Sequence, residues 1–276
     1  MTDINKKLEL LKNYLAKLSS VAIAFSGGVD STFLLKVAHD LLGDNAIAVT
    51  ASSKFVPRRE LDESKNFCAD NGIRQIIFEA DVLSIAGVKE NPPNRCYLCK
   101  RALFAHIKEI AALNNFAHVV EGSNMDDTGD YRPGLQAIAE LEIKSPLIYV
   151  EMYKSEIREL SRLMNLPTAD KPSLACLASR FVYGETLSPE KLSMVERAEE
   201  FLRTFDFKQF RVRIHDKLAR IEILPADFDR IMQPEIRREI AEKFQAFGFD
   251  YVALDLQGYR SGSMNIGLTK TGSGQQ

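Results

Sequence analysis

The chain has 276 residues, a net charge of −2, 45% apolar and 27% charged side chains. This is the composition of a soluble globular protein, long enough for one large core or two small ones. The near-neutral charge excludes a global basic field that would draw the chain onto nucleic acid or membrane, and the longest apolar runs, Val21–Phe25 and Ala46–Thr50, have strand length and cannot span a bilayer.

The N-terminal residues Met1-Thr2-Asp3-Ile4-Asn5-Lys6-Lys7 lack the apolar stretch of a signal peptide, so the cytoplasm is the expected address. Leu8–Leu18 has helical periodicity, and Val21–Phe25 is a short β-rich run that leads into a Ser-Gly-Gly turn. The expected order continues with helix Thr32–Leu42, strand Ala46–Thr50, helix Arg58–Asn71, strand Gln75–Glu79, helix Lys100–Asn114 and strand His118–Glu121. Leu147–Val150 reads as a further strand and Lys154–Leu163 as a further helix. This alternation predicts an α/β fold, a parallel sheet with helices on both faces and ligand-binding loops at the strand ends.

After about residue 185 the pattern changes. A helix over Pro189–Arg203 precedes two alternating strands, Phe210–His215 and Leu218–Ile223, joined by Asp216-Lys217 as a hairpin. Two helices and the strand Tyr251–Leu256 follow, and the Gly/Ser/Gln tail Gly272–Gln276 reads as disordered. The expected organisation is one α/β domain over 1–184 and a smaller α+β domain over 185–276.

The strand Val21–Phe25 runs directly into Ser26-Gly27-Gly28-Val29-Asp30-Ser31 at a helix start. A helix N-terminus presents unpaired N–H groups and the positive end of the dipole, and two glycines let the backbone approach an anion. Ser26 and Ser31 add hydroxyl donors. Asp30 would repel a phosphate unless it caps the helix or holds Mg²⁺, so it is a candidate for both roles. No Gly-Lys-Ser/Thr closes the loop, so this is not a Walker A motif; a plain strand-to-helix turn is the ordinary alternative.

Ser-Gly-Gly-x-Asp-Ser resembles the signature of the ATP pyrophosphatase (PP-loop) superfamily, which implies cleavage of ATP between the α and β phosphates and adenylation of a substrate. Further stretches resemble one member family, the LarE-type sulfur transferases: Asn94–Lys100, Asp130–Gly134, Ala175–Phe181, Tyr183-Gly184, Arg211–Arg213 and Gly258–Gly262. The resemblance implies that a nicotinic-acid-derived mononucleotide is adenylated with release of pyrophosphate and converted to a thiocarboxylate for a nickel-pincer cofactor. It also implies a homo-oligomer, a small-molecule substrate and a sulfide or other sulfur donor; the charge and the short apolar runs argue against a nucleic-acid or membrane partner.

The cysteines bear on the sulfur source. In one branch of that family a single cysteine, in the segment held here by Ala175-Cys176, gives up its own sulfur. In the other, three cysteines hold a [4Fe-4S] cluster. The pair Cys96 and Cys99 with the distant Cys176 resembles the second branch. Cys-x-x-Cys spacing lets two thiolates reach one metal centre, and three thiolates leave a coordination position open. Persulfide chemistry, a sacrificial Cys176, a zinc site completed by a residue such as His106, and plain apolar packing stay open beside it. Cys68, near Phe67 on a helix, reads as core filling.

Ser52, after the second strand, and Gly122, after the fourth, are candidate nucleotide contacts; Lys100 and Arg180, flanking the cysteine motifs, are candidate phosphate contacts. Arg211 and Arg213 share a strand face and Arg260 lies in a Gly-rich turn. The resemblance makes these three the grip on the substrate's phosphate; alone, the strand arginines read as a solvated face. Glu199 is a minor candidate, Asp126 and Asp127 read as a loop pair with a lesser claim on Mg²⁺, and His215 reads as a hairpin residue. A tRNA thiolase would need a basic RNA-binding surface that the charge does not suggest; an ammonia-using ligase would need no cysteines; a nucleotide-sensing module would retain the loop without turnover.

Overall fold

The computed structural model describes residues 3–129, 133–172 and 175–260. Asp130, Tyr131 and Arg132 of one motif, Ser261 and Gly262 of another, and the tail read as disordered lie outside the described residues. The chain divides into two compact units: Met1–Ile85 with Cys96–Leu174, and Ala86–Arg95 with Ala175–Gln276.

The first unit is built on four parallel strands, β1 (Val21–Ala24), β2 (Ala46–Ser52), β3 (Gln75–Glu79) and β4 (His118–Val120), in the order β3-β2-β1-β4. The register sets Val21 beside both Ala46 and His118. Strands buried on both faces need apolar residues at every position. Accordingly Val21 and Ile23 enter a core with Leu11 and Leu15 of α1 (Asp3–Leu18), Phe33 and Leu34 of α2 (Val29–Leu42), Phe67 of α3 (Arg58–Asp70) and Leu160 of α7 (Lys154–Leu163). Ala22, Ile47 and Val49 face the other way, onto Phe104, Ile107 and Ala111 of α4 (Arg95–Leu113) and Ile138 of α5 (Pro133–Glu140).

Leu147–Val150 does not form the expected strand. Pro146–Tyr149 is a short helix, α6, with proline in its first turn, where a missing N–H costs nothing. The sheet is extended instead by Lys144, which bridges Val120 in parallel and exchanges backbone bonds with Glu121 and Val119. The order reverses direction at β1, with β2 on one side and β4 on the other, and an open parallel sheet places its ligand crevice at such a switch point.

The second unit carries a three-stranded mixed sheet, β5 (Phe210–His215), β6 (Leu218–Ile223) and β7 (Tyr251–Leu254). β5 and β6 form the expected hairpin, with His215 opposite Leu218 and Asp216 in the left-handed region at φ 54°; β7 joins β6 in parallel. The helices α8 (Pro189–Arg203), α9 (Phe228–Ile231) and α10 (Pro234–Phe247) complete the unit. Ser188 caps α8 by accepting from the Lys191 N–H. Among the described residues no helix is long and apolar enough to cross a membrane.

Cys68 lies in the first core, 2% exposed, and burial pushes its thiol up to about 12. It is therefore expected to resist alkylation in the native protein and to label only as fast as the unit opens, which pulse labelling across a urea series with mass-spectrometric readout will measure.

Candidate active site

The first unit presents the phosphate loop at the switch point. Gly27 lies in the left-handed region at φ 71°, and a Cβ there would press on the Ser64 Cβ of α3 at 3.4 Å. Gly28 is the extended residue ahead of α2, and no side chain caps the helix N–H groups. Ser26 and Ser31 bring their hydroxyl oxygens to 3.1 Å, and the Gly28 N–H points at the Ser26 hydroxyl at 3.4 Å. The loop thus gathers two hydroxyls, a backbone N–H and an open helix N-terminus, as an anion requires.

Asp30 is not the cap of α2, because Gly28 holds that position; it forms an ion pair with Lys154 at the start of α7. Burial raises its carboxyl above the ordinary value, Lys154 pulls against this, the nearby Asp127 adds to the rise, and Asn124 lowers it least. Its Oδ1 is buried and, among the described residues, accepts no hydrogen bond of normal geometry. A buried, unpartnered carboxylate oxygen at a phosphate loop suits the hard-oxygen demand of Mg²⁺, so Asp30 fits the metal expected there. The adjacent acids have local duties: Asp126 accepts from the Lys154 N–H at 2.7 Å, and Asp127 from the Asn124 N–H at 3.0 Å.

Gly122 stands against the same helix start. A Cβ on it would meet the Ser31 nitrogen at 2.9 Å, so the chain beyond β4 can pack on the loop only as glycine. Ser52 is the last residue of β2, opposite Glu79, and its carbonyl accepts from the Ala80 N–H. Lys100 lies along Gly134, where a Cβ would sit 2.7 Å from its Cδ.

Cys96 and Cys99 lie near the start of α4, partly buried and about one turn apart, hence on one face. Two soft thiolates so spaced suit iron–sulfur ligation in donor type. Among the described residues no set of three His, Cys, Asp or Glu side chains is disposed to hold a metal ion.

The second unit holds Cys176 and the arginines. The Cys176 sulfur receives a hydrogen bond from Arg95 Nη1 at 3.2 Å. Burial raises its thiol, but the Arg95 charge and hydrogen bond, the Arg180 charge and the Ser179 N–H outweigh it and bring the thiol below its ordinary value. Arg180 is 1% exposed and grips Glu199 of α8 with two bonds at 2.9 and 2.8 Å. Its remaining nitrogen donates to the Ala175 and Cys176 carbonyls and the Ser179 hydroxyl, which fixes the turn that carries Cys176. Glu199 also accepts from the Val212 N–H, which ties α8 to β5.

Arg211 and Arg213 are 6% and 7% exposed, so their strand face is not solvated. Arg213 donates to the Ser179 carbonyl at 2.7 Å and to Glu222, a fully buried carboxylate, at 2.9 Å. Arg211 stacks over the Tyr259 ring at 5.3 Å and donates to the Phe210 carbonyl. Burial and then Arg180 lower its pKa, with Glu199 opposing. The Nε of Arg260 is buried without a hydrogen-bond partner among the described residues. His215 accepts from Arg220 at the hairpin, and burial lowers its pKa.

Lys154, Lys171, Glu60 and Glu222 carry no signal in the sequence that sets them apart, whereas Arg95 does carry one. Arg95 sits inside the Asn94–Lys100 motif, beside Cys96. Lys154 opens a predicted helix, a position that gives no sign of the residue its ammonium meets.

No family model matches the chain. It is 42% identical to an uncharacterized protein of Synechocystis sp. over 97% of its own length and all of that protein. It is 37% identical to the pyridinium-3,5-bisthiocarboxylic acid mononucleotide synthase of Lactiplantibacillus plantarum over 98% of each chain. More distant likeness, 28% identity over 67% of this chain and 65% of the other, links it to one of the chains of the glutamine-hydrolyzing GMP synthase of Archaeoglobus fulgidus.

The surroundings of Asp30 and Cys176 lead to two expected outcomes. A carboxyl raised above its ordinary 3.8 favours the folded state at low pH and loses that contribution as pH rises through the raised value. In urea unfolding, the stability of Asp30→Asn relative to the parent should therefore improve across that interval. Arg95→Met should raise the Cys176 thiol and slow its alkylation by iodoacetamide at neutral pH, followed by peptide mass spectrometry.

Proposed function

The chain belongs to the family of the pyridinium-3,5-bisthiocarboxylic acid mononucleotide synthase and has its PP-loop α/β fold, and we propose that it is an ATP-dependent sulfur transferase acting on a pyridinium carboxylate mononucleotide. The substrate's carboxylate oxygen attacks the α-phosphorus of ATP, the α–β bridging bond breaks, and pyrophosphate leaves. Sulfur then adds to the carbonyl of the acyl-adenylate, and AMP departs with the electrons of the C–O bond. A free carboxylate is a poor electrophile and AMP a good leaving group, so catalysis rests on positioning and charge stabilisation.

The observation that carries this reading is the phosphate loop: Gly27 at positive φ, the converging Ser26 and Ser31 hydroxyls, and the uncapped start of α2. In this reading Ser26, Gly27, Gly28 and Ser31 receive the ATP phosphates, and Ser52 and Gly122 border the nucleotide. Lys100 serves the nucleotide's phosphate side, whereas Arg180, whose nitrogens are all engaged, acts by setting the Cys176 turn. Magnesium, when bound, neutralises phosphate charge, and Asp30 is the residue to hold it. Arg211, Arg213 and Arg260 receive the substrate's phosphate, where a guanidinium offers bidentate bonds. The division of labour in this reading is a PP-loop domain that activates and a smaller C-terminal domain that binds substrate and joins copies of the chain.

For sulfur, Cys96, Cys99 and Cys176 are the residues that would hold a [4Fe-4S] cluster, which when bound supplies an iron able to carry a spare sulfide. One observation favours a second reading. Arg95 donates to the Cys176 sulfur at 3.2 Å and lowers its thiol, as a sacrificial donor would need. Anaerobic reconstitution with iron and sulfide separates them. The cluster reading expects about four irons per chain, a visible charge-transfer band, repeated turnovers of thiocarboxylate and AMP with sulfide, and loss of iron in Cys96→Ala. A single turnover that leaves Cys176 short of its sulfur by mass spectrometry supports the second reading. Failure to form AMP with any pyridinium carboxylate mononucleotide overturns both.

A further inference from the structure

We propose that Lys171 is a positioning residue of the phosphate loop, which holds the Gly27 carbonyl outward and so turns the Gly28 N–H toward the bound anion; the inference rests on the ATP reading of that loop. The Lys171 ammonium donates to the Gly27 carbonyl at 3.0 Å. A trans peptide is planar and its C=O and N–H point in opposite directions. Whatever fixes the Gly27 oxygen therefore fixes the Gly28 hydrogen, which in this structure aims at the Ser26 hydroxyl within the loop.

Glycine makes the device necessary. Gly27 and Gly28 have wide conformational freedom, and a flip of the peptide between them would exchange an N–H for a carbonyl oxygen at the anion. Within the loop the Gly28 N–H has a long 3.4 Å bond to the Ser26 hydroxyl, which is shared with Ser31, while Ser31 donates to the Gly28 carbonyl and not to that of Gly27. A cation outside the loop that donates to the Gly27 oxygen adds a shorter, charge-assisted restraint on the same peptide.

Lys171 is itself held. Its backbone N–H donates to the Thr168 carbonyl, and its own carbonyl receives Arg158 of α7 at 2.7 Å. Its side chain is 11% exposed and pairs with Glu60 and, at 2.7 Å, with Glu63 on α3. Arg59 also pairs with these two glutamates, so two positive and two negative charges balance. An ammonium balanced in this way has its donors committed to Glu60, Glu63 and the loop carbonyl, which makes it a strut for the peptide and not a direct phosphate ligand.

The test compares the full-length parent with Lys171→Met, Lys171→Arg and the double variant Lys171→Met with Glu60→Met. Mg²⁺-ATP binding is read by calorimetry, the ATP dependence of pyrophosphate release by steady-state kinetics, and the fold by thermal melting. Lys171→Met is expected to weaken ATP binding about tenfold or more, as loss of a charge-assisted hydrogen bond implies, with KM for ATP rising more than kcat falls. Lys171→Arg, which keeps a cationic donor, should recover most of the affinity. The double variant removes both charges of the buried pair, so it should recover the melting temperature while ATP stays weakly bound. ATP affinity equal to the parent's in either methionine variant, or affinity that returns together with the melting temperature in the double variant, overturns the inference. A parent that takes up no ATP overturns instead the reading of the loop on which it rests.

Discussion

A charge taken out of water must find a partner of opposite sign, or a dense set of dipoles, within a few ångströms. That constraint arranges the functional regions of both units. In the first, Asp30 meets Lys154, and Glu60 meets Lys171. In the second, Arg180 meets Glu199, Arg213 meets Glu222, and the Cys176 sulfur meets Arg95. Each pair joins separate elements, so the pairs locate the loops as well as neutralise them. The Arg180–Glu199 pair joins the turn that carries Cys176 to α8, and the Glu199 carboxylate reaches on to β5.

The same economy holds at the loop of the first unit. A phosphate loop made of glycines and small hydroxyls has little rigidity of its own, and its donor geometry is imposed from outside, by α3 against Gly27 and by Gly122, just beyond β4, against the start of α2. The buried arginines of the second sheet are held in place by their neighbours, Arg213 by Glu222 and the Ser179 carbonyl, Arg211 by the Phe210 carbonyl and the Tyr259 ring. Burial raises the Asp30 carboxyl in the first unit, and Arg95 lowers the Cys176 thiol in the second.

Much of the fold is legible in the sequence because its signals are local. The alternation of apolar runs and helical periodicity places β3 and α8 with the same bounds that the structure has, and locates the hairpin turn at Asp216. The failure at Leu147–Val150 has a local cause as well: a short apolar run is ambiguous between strand and helix, and Pro146 with the bridging Lys144 decides it. Helix α4 begins five residues before the apolar periodicity that announces it, since Arg95–Cys99 carries chemistry rather than an apolar stripe.

The sequence by itself determined the phosphate-loop motif, the sheet that carries it, the Cys-x-x-Cys spacing and the family resemblance that the full-length relatives support. These are matters of period, of glycine placement and of spacing along one chain. Only the tertiary structure decided which charges are buried and what they face: that Arg211 and Arg213 lie on a closed and not a solvated strand face, that Asp30 answers to Lys154, and that Lys171 reaches back to Gly27. The physical reason is that partners separated by more than a hundred residues, as the last two pairs are, leave no periodicity in the sequence; their energy comes from the low dielectric that exists only once the units have closed around them.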